Sequence, residues 1–263
     1  MKLLDRQAPY SHFLDQLKLA QERILLLDYD GTLAPFTTDR DRAFPYPEVP
    51  RLLAGIMTAG TRVVLISGRP AQELVRLSST RPHPEIWGSH GFERLMPDGS
   101  HFIGRLPEIQ EEGLSAAFQA LQQAGLQQNL ERKAGGVALH WRGAPRTAIE
   151  ALREQALQAW QPLLVPHHLR LLEFDGGLEI RVPAANKGDA VLCILREAAK
   201  DPAVAYLGDD QTDEDAFLAL KGRGLPILVS AEPRPTAAEV WLEPPGELIE
   251  FLRQWLLACG GEA

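Results

Sequence analysis

The sequence predicts a doubly wound α/β protein, a parallel Rossmann-like sheet core interrupted by a smaller inserted α+β cap domain. Three observations carry this. Short apolar runs that break off in acids, Ser-Gly or Gly recur at residues 24–30, 62–66 and 204–207, the pattern of strands buried on both faces. Helix-like segments separate them, as in alternating strand–helix units. Between about Pro107 and Pro183 the pattern becomes helical stretches among hairpin-forming strands, an antiparallel insert. The expected division is therefore a core of residues 1–106 and 184–263 and a cap of residues 107–183.

Each element has a local reason. The apolar run Ile24-Leu-Leu-Leu27 stops abruptly at Asp28-Tyr-Asp-Gly31. A Pro-rich stretch at 44–50 leads into a helix carrying Leu52, Leu53 and Ile56. Residues 62–66 form the second strand, closed by Ser67-Gly-Arg69, and Pro70 opens a helix where its missing N–H does no harm. Residues 85–88 read as a third strand, and Met96-Pro-Asp-Gly-Ser100 as a hairpin turn. The insert reads as a Gln-rich helix (111–126), a strand (137–142), a second helix (146–160) and a hairpin through Phe174-Asp-Gly-Gly177. The parallel pattern returns with a helix from Lys187, a strand at 204–207 and the loop Gly208-Asp-Asp-Gln-Thr-Asp213. A helix, a strand at 225–229 and an amphipathic helix at 247–257 complete the core.

Composition bounds the function. Of 263 residues, 45% are hydrophobic and 24% charged, which supplies a sizeable core. A net charge of −8 argues against nucleic-acid or anionic-membrane partners, which favour a basic face. Cys193 and Cys259 are the only cysteines and read as reduced thiols. The charged start Met1-Lys-Leu-Leu-Asp-Arg6 does not read as a signal peptide, and no run reaches membrane-helix length, so the expected location is cytoplasmic.

In an open parallel sheet, ligands bind outside the carboxyl ends of the strands, where the polar clusters 28–32, 67–69 and 209–213 fall. A carboxylate such as Asp28 can attack phosphorus, and Asp30 can protonate the leaving alkoxide and later deprotonate water. Gly31 lets the backbone approach the phosphoryl oxygens and offer N–H groups. Asp28, a backbone carbonyl near Asp30, and Asp209 suit Mg2+, a hard cation that takes one or two carboxylates plus water and substrate phosphate. Ser67 and Lys187 suit the phosphoryl group. Plainer readings stand beside these: an Asp-Gly turn after a buried strand, and Thr212 as a helix cap with Asp213, Glu214 and Asp215 at its positive end.

Together, Asp28-Tyr-Asp-Gly-Thr-Leu33, Leu65-Ile-Ser-Gly-Arg69, Asn186-Lys-Gly188 and Gly208-Asp-Asp-Gln-Thr-Asp213 resemble the four motifs of haloacid dehalogenase (HAD) superfamily phosphatases. Within that superfamily the chain resembles the trehalose-6-phosphate phosphatases, through Gly88-Ser-His-Gly-Phe-Glu93, Glu131-Arg-Lys133, His140-Trp-Arg142 and Leu178-Glu-Ile-Arg181. The resemblance implies a HAD-like core and Mg2+-dependent hydrolysis of trehalose 6-phosphate through an aspartyl phosphate. It implies Asp28 as nucleophile, Asp30 as general acid/base, and Gly31, Thr32, Ser67, Gly68 and Lys187 at the phosphate. Asp28, Asp30, Asp209 and Asp213 would surround the metal. Arg69, Glu93, Lys133, His140, Arg142 and Glu179 would contact the sugar. A monomer functionally associated with the synthase that makes the substrate is expected. The alternatives are another sugar phosphate, such as sucrose 6-phosphate or a glycosylglycerate or glycosylglycerol phosphate, and an inactive sugar-phosphate-binding regulator.

Overall fold

Ile24, Leu25, Leu26 and Leu27 are completely buried, which requires apolar cover on both faces of the strand they form. The structure is a computed structural model that describes residues 8–262 except Thr38, Asp175 and Ala185. The N-terminal segment Met1-Lys-Leu-Leu-Asp-Arg6 and Asp175 of the expected hairpin lie outside the described residues. Contacts divide the chain into two compact units, one from its two ends (to Phe102 and from Asn186) and one of Ile103–Ala185.

The first unit begins with helix α1 (Ala8–Leu19), strand β1 (Arg23–Leu27), α2 (Val49–Thr58), β2 (Arg62–Ile66), α3 (Ala71–Leu77) and β3 (Glu85–Gly88). β4 (Glu93–Leu95) and β5 (His101–Ile103) follow. The second unit contains α4 (Glu108–Gln123), β6 (Leu130–Lys133), β7 (Gly136–His140), α5 (Arg146–Leu164), β8 (Arg170–Phe174) and β9 (Gly177–Arg181). The first unit resumes with α6 (Lys187–Glu197), β10 (Ala203–Gly208), α7 (Glu214–Leu220), β11 (Leu225–Val229), β12 (Val240–Leu242) and α8 (Gly246–Ala258).

The larger sheet runs β12-β11-β10-β1-β2-β3-β4-β5. β12 through β3 pair in parallel, and β4 turns antiparallel to β3. Alternate residues of β1 serve opposite cores: Leu25 and Leu27 pack with residues of α1, α2 and α8, while Ile24 and Leu26 pack with α6 and α7. The chain builds outward from β1 to β2 and β3, then returns to place β10 on its other side. The strand order therefore reverses between β1 and β10, where open α/β sheets form their ligand crevice.

The second unit's sheet runs β6-β7-β9-β8, all antiparallel. Val137, Leu139, Leu178 and Ile180 are buried on the face that α4 and α5 cover. Three elements went unread in the sequence: α1, the short β12, and β6, whose Leu-Glu-Arg-Lys has no apolar run. α5 also continues past Trp160 to Leu164, although Pro162 lacks the N–H that would complete the ladder of its last turn. Among the described residues no helix is long and apolar enough to cross a membrane.

The start of β3 is pinned by charge. Glu85, 4% exposed, accepts from Arg62 Nε (2.9 Å), Arg94 Nε (2.8 Å) and Trp87 Nε1 (2.8 Å). Glu197 of α6 bonds the same two arginines at a more exposed position. Glu85→Ala should cost about 2–3 kcal/mol, below the ~3–5 of a fully buried pair because both arginines keep some solvent. Glu197→Ala should cost about 1 kcal/mol or less. Urea denaturation followed by circular dichroism measures both, and equal losses would contradict this account.

Candidate active site

Asp28 continues the β1 ladder by donating its N–H to Leu207 O (2.8 Å), then ends it in a buried carboxylate. Lys187, the first residue of α6 behind the Asn186 cap, donates to Asp28 Oδ1 at 2.7 Å and to Asp213 Oδ1 at 2.7 Å. Thr32, expected at the phosphate, instead directs its hydroxyl at Asp28 Oδ2 (3.3 Å). Tyr206, in the apolar run of β10, donates its hydroxyl to Asp213 Oδ1. The sequence reading missed this tyrosine because it looks like core; the available signal was that a buried phenol needs a partner.

The acids of the 208–213 loop divide their work. Asp210, not Thr212, caps the turn: its carboxylate accepts from Thr212 N (2.8 Å) and Thr212 Oγ1 (2.6 Å). Threonine's hydroxyl is thereby a donor rather than the cap acceptor. Asp213 Oδ2 accepts from the N–H groups of Asp209 (3.0 Å) and Asp210 (3.1 Å). With two bonds on each oxygen, Asp213 has its four acceptor positions filled.

Ligand oxygens of Asp28, Asp209 and Asp213 lie within 4.8 Å of one another. Three carboxylates thus crowd beside a single ammonium, an excess of buried negative charge that a hard divalent cation relieves. The residues fit such a cation, with Asp28 and Asp209 better placed as ligands than the saturated Asp213. Gly31 makes the crowding feasible: it has φ 84°, and a Cβ there would come within 2.1 Å of Asp209 Oδ2. Its N–H, expected to face a phosphate, is bonded to Ala34 O (2.8 Å), which closes the turn.

Electrostatics follow the packing. Burial, reinforced by the charge of Asp213 and opposed by Lys187, pushes the Asp28 carboxyl up to about 7. Burial and the neighbouring Asp28 raise Asp209 well above the ordinary range, and burial raises Asp213 as well. For Asp210 burial is outweighed by Lys187 and the Thr212 donors, and its pKa falls. Burial opposes the charge of Lys187, but Asp213 and Asp28 prevail and raise its pKa.

The Ser67–Arg69 loop faces Asp30. Arg69, expected at the sugar, is 4% exposed and grips Asp30 with Nε–Oδ2 2.6 Å and Nη2–Oδ1 2.7 Å, while Nη1 donates to Arg40 O and Glu73. Ser67 Oγ accepts from Arg69 N (3.2 Å). Beneath the loop, Ser89 and His90 adopt φ of 51° and 56° before Gly91, a strained turn of the kind found at functional sites. It is held by Ser89 N→Arg69 O (2.9 Å) and His90 N→Ser67 O (2.8 Å). The His90 ring lies on Gly68, where a Cβ would come within 2.7 Å. Glu93, also expected at the sugar, braces this turn by accepting from Ala71 N (3.0 Å), Ser89 Oγ (2.8 Å) and His101 Nε2 (2.9 Å). A cavity lined by His12, Phe13, Ala203 and Leu225 opens at the amino ends of β10 and β11, away from these acids.

In the second unit, strand alternation puts Glu131, Lys133, His140 and Glu179 on the sheet face turned away from α4 and α5. Lys133 Nζ donates to Glu179 Oε2 (2.6 Å), and His140 Nε2 pairs with Glu131 Oε2 (2.8 Å). Phe174, expected only as part of a hairpin, lies 5.6 Å from the His140 ring and 5.9 Å from Lys133 Nζ. Arg142 follows β7 and packs against Gly176.

A parallel core with an aspartate at the end of its central strand, a lysine opening a later helix and an acidic loop after β10 defines a doubly wound α/β protein with a polar crevice at the carboxyl edge of its sheet. The family model described as trehalose-phosphatase matches residues 26–243, and the chain belongs to that family. The trehalose-phosphate phosphatase of Mycobacterium tuberculosis is 33% identical, over 89% of this chain and 61% of its own length. The chain thus spans about 61% of the length of such curated relatives. The Aspergillus fumigatus trehalose-6-phosphate phosphatase structure matches with a TM-score of 0.70 at 26% identity, covering 96% of this chain and 98% of that one. The C-terminal domain of the Candida albicans trehalose synthase regulatory protein matches with a TM-score of 0.72 at 14% identity, over 94% and 98%, a likeness of fold alone.

The raised acids give a pH signature. Asp28, Asp209 and Asp213 hold protons more tightly folded than unfolded, so that stability is lost as pH rises through about 7, the value for Asp28. Asp210 stays ionised and Lys187 stays charged across this window and add no slope. The thermal midpoint in excess EDTA should therefore be lower at pH 8 than at pH 6, and Asp28→Asn should reduce the difference. A midpoint that rises over this interval would contradict the assignment.

Proposed function

We propose that this chain hydrolyses trehalose 6-phosphate to trehalose and inorganic phosphate through a phosphoryl group carried on Asp28. The observation that carries the reading is the Asp28 carboxylate itself, at the strand-order reversal and held by Lys187 and Thr32. Membership of the trehalose-phosphatase family supports the substrate.

One oxygen of Asp28 attacks phosphorus, and the bond from phosphorus to the sugar oxygen breaks as Asp30 gives that oxygen a proton. Water then attacks the aspartyl phosphate, Asp30 takes a proton from it, and the phosphorus–Asp28 bond breaks to release phosphate. Arg69 holds both carboxylate oxygens of Asp30; proton transfer by this carboxyl requires it to leave that grip. Lys187 holds Asp28 in line and offsets charge on the transferring group. Ser67 uses a lone pair toward Arg69, which leaves its hydroxyl proton for a phosphoryl oxygen.

Asp28, Asp209 and the Asp30 carbonyl would hold Mg2+, which would supply neutralisation of the phosphoryl oxygens. Asp213 acts one layer behind, orienting Lys187 and the loop. The second unit is the sugar-recognising cap in this reading. Lys133, His140 and Glu179 supply the polar groups, because a site built to hydrogen-bond hydroxyls rejects analogues that leave such groups unpaired.

Phosphate release across trehalose 6-phosphate, sucrose 6-phosphate and glucosylglycerol phosphate tests the substrate. Strong preference for the first is expected, and equal rates on sucrose 6-phosphate would overturn it. Asp28→Asn should lower kcat on the order of 10³–10⁶-fold with the circular dichroism spectrum unchanged; retained turnover would exclude the aspartyl phosphate. Excess EDTA should stop turnover and added Mg2+ restore it, whereas full activity in EDTA would remove the metal from the scheme.

A further inference from the structure

The connection between β11 and β12 sends one side chain back to the acidic loop. Arg234 donates from Nε to Asp209 O (3.1 Å) and from Nη2 to Asp210 O (2.6 Å), while Nη1 donates to Glu214 and to Pro235 O (3.1 Å). Glu214, at the start of α7, also accepts from Thr236 Oγ1 (2.8 Å) and Ala237 N (2.8 Å). The fork is therefore anchored at its far side by the same connection that carries it.

We propose that Arg234 is a positioning residue for the divalent-cation site, fixing the main chain from which the Asp209 carboxylate projects. The proposal rests on the reading of Asp28 and Asp209 as cation ligands. Its basis is that both polar main-chain groups of two successive residues are tied to side chains. Asp213 takes the N–H groups of Asp209 and Asp210, and Arg234 takes their two carbonyls. Such a clamp leaves the two residues little freedom to rotate, so the Asp209 carboxylate meets its ligand already oriented. A planar guanidinium spans two carbonyls and a carboxylate at once; a lysine ammonium, a point donor on a flexible stem, does not.

Charge and position predict opposite outcomes. A cationic side chain beside a cation site repels the ion, so if Arg234 acted by charge alone, its removal would tighten binding. If it acts by orienting the loop, removal weakens binding despite the lost repulsion.

The experiment measures Mn2+ binding to the full chain by electron paramagnetic resonance, with thermal melting without metal to verify folding. For Arg234→Gln the Kd should rise by roughly 10–100-fold, as for other residues that orient metal ligands. Arg234→Lys should fall on the same side. The Mg2+ concentration for half-maximal turnover should rise in parallel, with most of the lost turnover recovered at saturating Mg2+. A Kd within twofold of the unsubstituted chain, or a tighter one, overturns the proposal. If Arg234→Gln does not fold, Glu214→Gln loosens the anchor while keeping the guanidinium and should weaken Mn2+ binding by a smaller factor; an unchanged Kd there overturns the proposal equally. Absence of Mn2+ binding in the unsubstituted chain would instead refute the cation-site reading, and this proposal with it.

Discussion

One buried ammonium organises the acidic edge of the sheet. Lys187 lies between Asp28 and Asp213, 2.7 Å from each, and all three side chains are almost fully enclosed. Take the ammonium away and two buried carboxylates face each other uncompensated, the situation in which breaking a buried pair is most costly. Its placement depends on the local chain. Asn186 caps α6 by accepting from Asp189 N (2.8 Å), so the helix begins at the lysine. Gly188 brings α6 against α7: a Cβ there would come within 2.7 Å of Asp215 O. Cap, glycine and lysine in succession thus deliver one cation into the crevice.

Around that cation, identical side chains acquire different chemistry from their bonds. Asp210 is spent on a turn and Asp213 on two donors per oxygen, while Asp30 rests on a guanidinium that the proposed proton transfer must break. Asp28 and Asp209 are left as the carboxylates through which the edge meets a ligand. Donors stabilise the charge of Asp210 and lower its pKa, whereas burial raises Asp28, Asp209 and the saturated Asp213 alike, so the division lies in the bonds each acid makes. The proposed chemistry needs that inequality: a nucleophile and a cation ligand must keep valence that structural acids have used up.

Legibility in the sequence followed the range of the forces involved. β1, β2 and β11 were readable because burial on both faces demands an unbroken apolar run, and that is a local property. β6 carried no such run and β12, Val240-Trp-Leu242, is only three residues long, so both depend on the neighbouring strands that pair with them. The doubled acids of 209–210 were visible, but not that Asp210 is a cap, because a hydrogen bond to Thr212 leaves no mark in composition. Arg69 and Glu93 end two of the motifs that carry the family resemblance, and that resemblance placed them at a sugar. Their partners, Asp30 and the Ala71 amide, are 39 and 22 residues distant, and such pairings are decided by folding.

By itself the sequence determined the sheet's buried strands, the acids at their carboxyl ends and the lysine that begins α6, because hydrophobic periodicity and helix signals act within a few residues. The tertiary structure alone decided which acid serves which purpose. Lys187 on Asp28, Arg69 on Asp30 and Arg234 across the carbonyls of the loop are contacts between groups whose nearness exists only once the sheet has assembled. A carboxylate's role depends on how many of its acceptor positions those neighbours fill, and only the assembled fold sets that number.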